Sequence, residues 1–285
     1  MAGLFVIGSS YARNKKQQLQ RKDYSSVLTI DGQRIRVRIE RSEKPGGLPL
    51  LICNGLGVNL ETLDPLTSEL LGSTIIRFDA PGTGDSGTPL TPYRIPHVAE
   101  LVDKLLERLG YPLVDVLGIS WGGAVAQELA LNHRQRCRRL ILAATTTGML
   151  SIPGNPLSVA LALNPLHWTN ARMPGSDAGI VFGGDFRPRR PGKTGRLPGF
   201  RPPNPLGLYW QLLALWGWTS LHRLAQLEHP ILLLAGDDDP LVPLANARIM
   251  QGLLPDARLE VFDCGHLFTL TRAKQVAAAI TAFTR

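Results

Sequence analysis

A serine sits at the centre of Gly118-Ile119-Ser120-Trp121-Gly122, a small-x-Ser-x-small pattern between two unlike stretches. Leu113-Val114-Asp115-Val116-Leu117 before it has the character of a buried strand, and Gly123 to Ala130 after it is rich in helix formers. A serine on a sharp strand-to-helix turn is presented for nucleophilic attack. Bulky side chains beside it would strike neighbouring backbone, hence the glycines at 118, 122 and 123. The helix that follows points free N–H groups and the positive end of its dipole at a developing oxyanion. The chemistry this arrangement serves is acyl transfer. The alternative is an ordinary glycine-rich turn, so the chain must also supply an acid, a base and oxyanion donors.

The acid is expected after a later strand. Ile231-Leu232-Leu233-Leu234-Ala235-Gly236 runs into Asp237-Asp238-Asp239-Pro240, with Pro243 beyond. In the pattern G-x-x-D-x-x-x-P the third carboxylate, Asp239, is placed to turn towards a histidine, while Asp237 and Asp238 would shape the loop or face solvent. All three stay open as candidates, with Asp239 preferred. The other strand end that could carry an acid leads into Thr145-Thr146-Thr147-Gly148, which has no carboxylate. The base is expected last, in Asp263-Cys264-Gly265-His266. The other five histidines, at 97, 133, 167, 222 and 229, do not follow a C-terminal strand in this way. In this scheme His266 takes the Ser120 proton and Asp239 fixes the imidazole tautomer and stabilises the imidazolium. Cys264 beside His266 offers a thiol alternative, disfavoured because adjacency in sequence is not adjacency of side chains.

Two N–H donors complete the set. One is expected from Trp121, directly after the serine, and the other from Leu56 in Asn54-Gly55-Leu56-Gly57, the loop after the strand at 50–53. Losing one such donor typically costs about 100- to 1000-fold in rate. Asp79-Ala80-Pro81-Gly82-Thr83-Gly84-Asp85-Ser86 is read as a structural turn near the rim.

The elements that must position these residues alternate. Val27 to Ile30 and Arg34 to Ile39 flank Asp31-Gly32-Gln33 as a hairpin. Strands follow at 50–53 and 74–78 around a helical pattern near Leu60 to Leu71. Val98 to Leu109 is amphipathic, with Leu101, Leu105 and Leu109 on one face. Beyond the serine come strands at 139–144, 231–234 and 258–262 and helices at 244–253 and 272–283. Strand–helix alternation argues an α/β fold, a mostly parallel central sheet flanked by helices. Residues 150–225 break the rhythm with many prolines and tryptophans. They are expected to form a lid inserted into a core of residues 23–149 and 226–285, and residues 1–22 a mobile N-terminal arm.

At 285 residues with 44% hydrophobic and 19% charged residues, the composition is that of a soluble globular protein. No apolar run reaches bilayer length. The positive charges of the arm follow Leu4-Phe5-Val6-Ile7, the wrong polarity for a secretory signal, so the expected location is cytoplasmic. Three cysteines without metal-like spacing are expected as buried free thiols. No metal site and no cofactor are expected. The net charge of +8 is concentrated in the arm and in Arg187 to Arg201, and no nucleic-acid motif accompanies it.

The order Ser120, Asp239, His266 is the order used by α/β-hydrolases. Within that superfamily the chain resembles the intracellular depolymerases of medium-chain-length poly(3-hydroxyalkanoate). The resemblance is carried by Pro49 to Leu60 (PLLICNGLGVNL), Gly118 to Ala124 (GISWGGA), Arg136 to Ala144 (RCRRLILAA), Tyr209 to Ser220 (YWQLLALWGWTS), Leu233 to Pro243 (LLAGDDDPLVP) and Gly265 to Arg272 (GHLFTLTR). It covers nearly the whole chain from about residue 27. The serine elbow and acid loop are generic to the fold; the tryptophan-rich stretch and the asparagine of NGLG are more specific. It implies an α/β-hydrolase fold, a triad on Ser120, Asp239 and His266, and hydrolysis of polyester to 3-hydroxyalkanoic acids, at granule surfaces in the cytoplasm. The N-terminal arm and the basic, proline-rich residues 185–205 depart from that pattern.

Trp121, Trp210, Trp216 and Trp218 lie at the serine or in the inserted segment, where they would line an apolar cleft or merely fill its core. The same parts would also serve a carboxylesterase, lipase or carbon–carbon bond hydrolase on small soluble substrates, because fold and triad do not set substrate. A non-catalytic granule-surface protein is a third reading, which an intact triad disfavours. The polymer granule or a hydrophobic ester is the expected partner; preferred side-chain length and oligomeric state are left open.

Overall fold

A computed structural model describes residues 22–42, 46–164, 175–187 and 199–285. The expected N-terminal arm lies outside these residues up to position 21, as does the most basic part of the 185–205 stretch. Eight strands form one sheet in the order β1-β2-β4-β3-β5-β6-β7-β8: β1 (Lys22–Ile30), β2 (Gln33–Arg41), β3 (Leu50–Cys53), β4 (Ile75–Phe78), β5 (Val114–Ile119), β6 (Cys137–Ala143), β7 (Ile231–Gly236) and β8 (Ala257–Phe262). The first two strands join antiparallel to β4, and every other pairing is parallel. The β1–β2 hairpin turns on Asp31 and Gly32, at φ 48° and 78°, the left-handed pair that a two-residue connection needs.

Because side chains alternate across a strand, each central strand feeds two cores. Leu51, Val116, Leu140, Leu142 and Leu233 face one side; Leu50, Ile52, Leu117, Ile141 and Leu234 face the other. Both faces are covered, which is why these strands are nearly all apolar. On the first face lie α1 (Ile95–Leu109), α2 (Trp121–Asn132) and α6 (Leu244–Leu253), and on the second α7 (Ala273–Thr284). The core stripe of α1 is Ile95, Val98, Ala99, Val102, Leu105 and Leu106. Leu101 and Leu109, expected on that stripe, lie at its edge.

The helical pattern at Leu60 to Leu71 is realised only as a 3₁₀ turn, Leu60–Leu63, and one α-turn, Asp64–Thr67. Pro65 lacks the N–H that a continuous helix would require at that point. Between β6 and β7 the described chain forms α3 (Pro156–Leu163), α4 (Gly175–Phe182) and α5 (Pro205–Leu215). Asn155 and Asn204 cap α3 and α5, each accepting two backbone N–H bonds with proline at the next position. Among the described residues no helix is long and apolar enough to cross a membrane. All three cysteines are buried and free.

Candidate active site

Ser120, Asp239, His266 and Leu56 follow β5, β7, β8 and β3, and therefore gather at the carboxyl end of the parallel strands, where ligands enter such sheets. Ser120 sits between β5 and α2 at φ 52°, ψ −117°, a strained backbone for a residue with a side chain. Three bonds hold it there. Its N–H donates to Ala143 O at 2.8 Å, and its carbonyl accepts from Gly123 N at 2.9 Å and Thr145 Oγ1 at 2.8 Å.

The elbow glycines are sterically obligatory. A Cβ on Gly122 would lie 2.1 Å from Cys53 O, one on Gly123 2.3 Å from Thr145 Oγ1, and one on Gly118 2.6 Å from Gly123 Cα. Replacing Gly122 by alanine is expected to cost about 3 kcal/mol or more on the scale of overpacked cores, read as a lowered urea midpoint. Gly252 in α6 has open space around its Cβ position, so Gly252→Ala should leave the midpoint unchanged or raise it, by up to ~1 kcal/mol.

The Ser120 hydroxyl lies 3.2 Å from His266 Nε2, and His266 Nδ1 lies 2.7 Å from Asp239 Oδ2. The other carboxylate oxygen, Asp239 Oδ1, accepts the N–H groups of Leu241 and Val242, each at 2.9 Å. Asp239 is 6% exposed and His266 8%. A hydrogen-bonded chain of this kind can move a proton off a hydroxyl while a buried carboxylate balances the imidazolium.

The neighbouring carboxylates have other partners. Asp237 Oδ1 accepts from Cys264 N at 3.1 Å. Asp238 accepts from Gly184 N at 2.7 Å and pairs with Arg187, whose guanidinium holds its carboxyl below the usual range. The Cys264 thiol faces Thr271 Oγ1 at 3.0 Å and Asp185 at 3.7 Å, so it is engaged away from the imidazole.

The N–H groups of Leu56 and Trp121 have no hydrogen-bond partner among the described residues. Asn54 braces the Leu56 loop: its amide donates to Val58 O at 3.3 Å and Asn59 O at 3.1 Å and accepts from Gly55 N at 2.8 Å. Asp79 is fully buried and accepts from Leu60 N and Asp85 N. A Cβ on Gly84 would fall 2.1 Å from its carboxylate, which accounts for the glycine pattern of that loop in structural terms.

Two apolar cavities meet at Ser120. One of about 360 Å³ is lined by Trp121, Met149, Leu163, Leu212, Trp216 and Trp218. The other, about 110 Å³, lies beside His266 and is lined by Leu56, Phe182, Leu241, Leu267 and Leu270. Of the four tryptophans expected at the site, Trp121 and Trp218 are buried against the larger cavity, and Trp216 stands at its edge, 72% exposed. Trp210, also expected at the cleft, is not among the residues lining these two cavities. Its indole N–H donates to Pro89 O at 3.1 Å, because α5 turns that side chain towards the 79–90 loop.

The inserted segment supports both halves of the site. His266 N donates to Phe182 O at 2.8 Å at the end of α4. The Trp121 indole donates to Gln211 O of α5 at 2.9 Å. Gln211 was not singled out from sequence; its signal is a lone amide inside the apolar run Leu208-Tyr209-Trp210-Gln211-Leu212-Leu213. Among the described residues no cluster of three or more His, Cys, Asp or Glu is arranged to hold a metal ion.

The profile of the alpha/beta hydrolase fold matches residues 49–273. The chain is 42% identical to a poly(3-hydroxyalkanoate) depolymerase of Ectopseudomonas oleovorans, over 90% of this chain and 91% of that one. It is 32% identical to a pimeloyl-[acyl-carrier protein] methyl ester esterase of Aromatoleum aromaticum, over 81% and 96% of the two chains. Among solved structures, a hydrolase from Pseudomonas aeruginosa superposes with a TM-score of 0.71 at 25% identity, covering 91% and 97% of the chains.

Proposed function

Since this chain belongs to the α/β-hydrolase fold family and is a carboxylic ester hydrolase, we propose that it cleaves the ester bonds of medium-chain-length poly(3-hydroxyalkanoate) through an acyl-enzyme on Ser120. His266 Nε2 accepts the hydroxyl proton as Ser120 Oγ attacks the ester carbonyl carbon. The carbonyl oxygen becomes an oxyanion, held by the N–H groups of Leu56 and Trp121. Collapse of the tetrahedral intermediate breaks the bond to the alkoxy oxygen of the next monomer, which leaves as a hydroxyl with the proton from His266. Water then attacks the acyl-enzyme by the same route, and the 3-hydroxy acid is released.

The observation that carries this reading is the pair of apolar cavities meeting at one hydroxyl already hydrogen-bonded to a buried His–Asp pair. A polyester bearing alkyl side chains presents one such chain on each side of the scissile bond. The leaving oxygen must reach His266 Nε2, so the leaving monomer fits the smaller cavity beside the imidazole and the acyl monomer the larger one. Trp216 and Trp218 then serve the acyl side chain, and the inserted segment acts as the cap over the cleft. On this reading the enzyme meets its polymer at granule surfaces in the cytoplasm.

A hydrolase of small soluble esters is the second reading, favoured by the likeness to the pimeloyl methyl ester esterase. The two separate on turnover of medium-chain-length granules and of soluble esters graded in acyl length. Release of 3-hydroxyalkanoic acids from granules is the expected result. Intact granules beside brisk turnover of soluble esters would replace the polymer reading with the second one.

A further inference from the structure

Gln211 has no exposed surface and sits in the middle of α5. Its side chain is satisfied at both ends by elements outside that helix. Oε1 accepts the N–H of Gly57 at 2.7 Å, one residue beyond Leu56. Nε2 donates to Thr83 Oγ1 at 2.8 Å, in the buried loop after β4. Its backbone carbonyl takes the Trp121 indole N–H at 2.9 Å. A single residue of the inserted segment thus grips the peptide next to one free N–H and the side chain of the residue that carries the other.

The rest of α5 is fixed to the same loops. Gly207 and Gly82 touch backbone to backbone: a Cβ on Gly207 would lie 2.2 Å from Gly82 O. A Cβ on Gly57, at φ 65°, would press on Pro203 and Leu208 at 3.1 and 3.2 Å. Trp210 ties the helix to Pro89. A buried amide is costly to leave unpaired, so a helix carrying this set of bonds does not swing away from the site without breaking all of them.

We infer that Gln211 is a positioning residue for the oxyanion hole. It holds the Leu56 and Trp121 N–H groups in register, so α5 is a fixed wall of the site. The inference rests on those two groups being the oxyanion donors. A donor displaced by a fraction of an ångström loses much of its bond to the oxyanion, because hydrogen bonds weaken steeply with poor alignment. Substrate held by apolar contacts alone would not feel that displacement. The defect therefore falls on kcat and leaves KM in place.

The test is Gln211→Met, which keeps length and apolar volume and removes the side-chain hydrogen bonds, assayed on a soluble medium-chain ester. With active sites counted by fluorophosphonate titration, kcat per titrated site should fall about tenfold to a hundredfold, on the scale of a weakened oxyanion contact. KM should stay within about threefold, as removal of an interaction made only in the transition state requires. A trifluoromethyl ketone that forms the tetrahedral adduct should lose affinity by the same factor as kcat/KM.

A normal kcat per titrated site in folded Gln211→Met overturns the inference, as does a loss confined to the titratable fraction or an unchanged inhibitor affinity. Should Gln211→Met not fold, Thr83→Val releases the same amide from its other end, and an unchanged kcat in that folded variant overturns it equally. Wild-type protein inert on every ester would instead defeat the hydrolase mechanism itself. Active wild-type protein beside an unaffected Gln211→Met defeats this inference alone.

Discussion

Ser120→Ala is expected to lower kcat for ester hydrolysis by about 10⁴- to 10⁶-fold with the fold intact, the range seen when the nucleophile of a serine hydrolase is removed. The change deletes one oxygen, and among the described residues Ser120 Oγ bonds only to His266. Every bond that holds the elbow uses backbone atoms of residue 120 or its neighbours. Alanine at φ 52° is strained much as serine is, so the thermal midpoint should move by no more than a few degrees. Fluorophosphonate labelling should vanish together with activity. Substantial turnover by Ser120→Ala would remove the acyl-enzyme mechanism, because no other hydroxyl is recorded within hydrogen-bond reach of His266 among the described residues.

Asp239→Asn should cost about 10⁴-fold in kcat, the effect of setting the wrong imidazole tautomer. Here the geometry leaves the amide little choice. Leu241 and Val242 both donate to Asp239 Oδ1, so the amide oxygen must stay there and the NH2 group must face His266. His266 Nδ1 then becomes the acceptor and the ring proton moves to Nε2, where it blocks abstraction of the Ser120 proton. Asp238→Asn and Asp237→Asn are the controls. Asp238 is engaged with Arg187 at an exposed pair, worth little in water, and Asp237 with the backbone of Cys264. Each should change kcat by less than about tenfold, since neither touches the imidazole. Steady-state kinetics of the three variants assigns the acid; an Asp239→Asn enzyme close to wild type would refute its role.

The neighbours of Asp239 indicate why the choice among three adjacent carboxylates stayed open in the sequence. Identical side chains at consecutive positions differ only in direction, and direction is set by a turn. That turn is closed by two N–H bonds from residues 241 and 242, and by an inserted segment whose Arg187 and Gly184 draw Asp238 outward. Spacing to Pro243 favoured Asp239, and the hydrogen bonds bring its carboxylate, not those of Asp237 or Asp238, against His266.

Local chemistry was enough to determine a good deal. The run of apolar strands announced a sheet buried on both faces, because a strand exposed on one side alternates. The glycines at 118, 122 and 123 announced a sharp elbow, because each has backbone or a buried side chain where a Cβ would go. That Ser120, Asp239 and His266 meet was legible because each follows a strand of one parallel sheet, which brings strand ends together irrespective of the distance along the chain. The helix at Leu60 to Leu71 was over-read, since its apolar spacing is real but Pro65 interrupts the hydrogen-bond ladder.

What only the tertiary structure decided concerns the segment between β6 and β7. Its tryptophans are alike in sequence, yet Trp218 backs a cavity, Trp216 stands at its edge, and Trp210 turns to Pro89. Asn155-Pro156 and Asn204-Pro205 open capped helices there. Gln211 looked like one polar residue in an apolar helix; its partners at 57, 83 and 121 lie more than 80 residues away. Periodicity and motif describe what a residue can do with its near neighbours. Which distant loop meets a buried amide is set by packing of the whole chain, and that packing supplies the walls and supports around a serine that the sequence had already singled out.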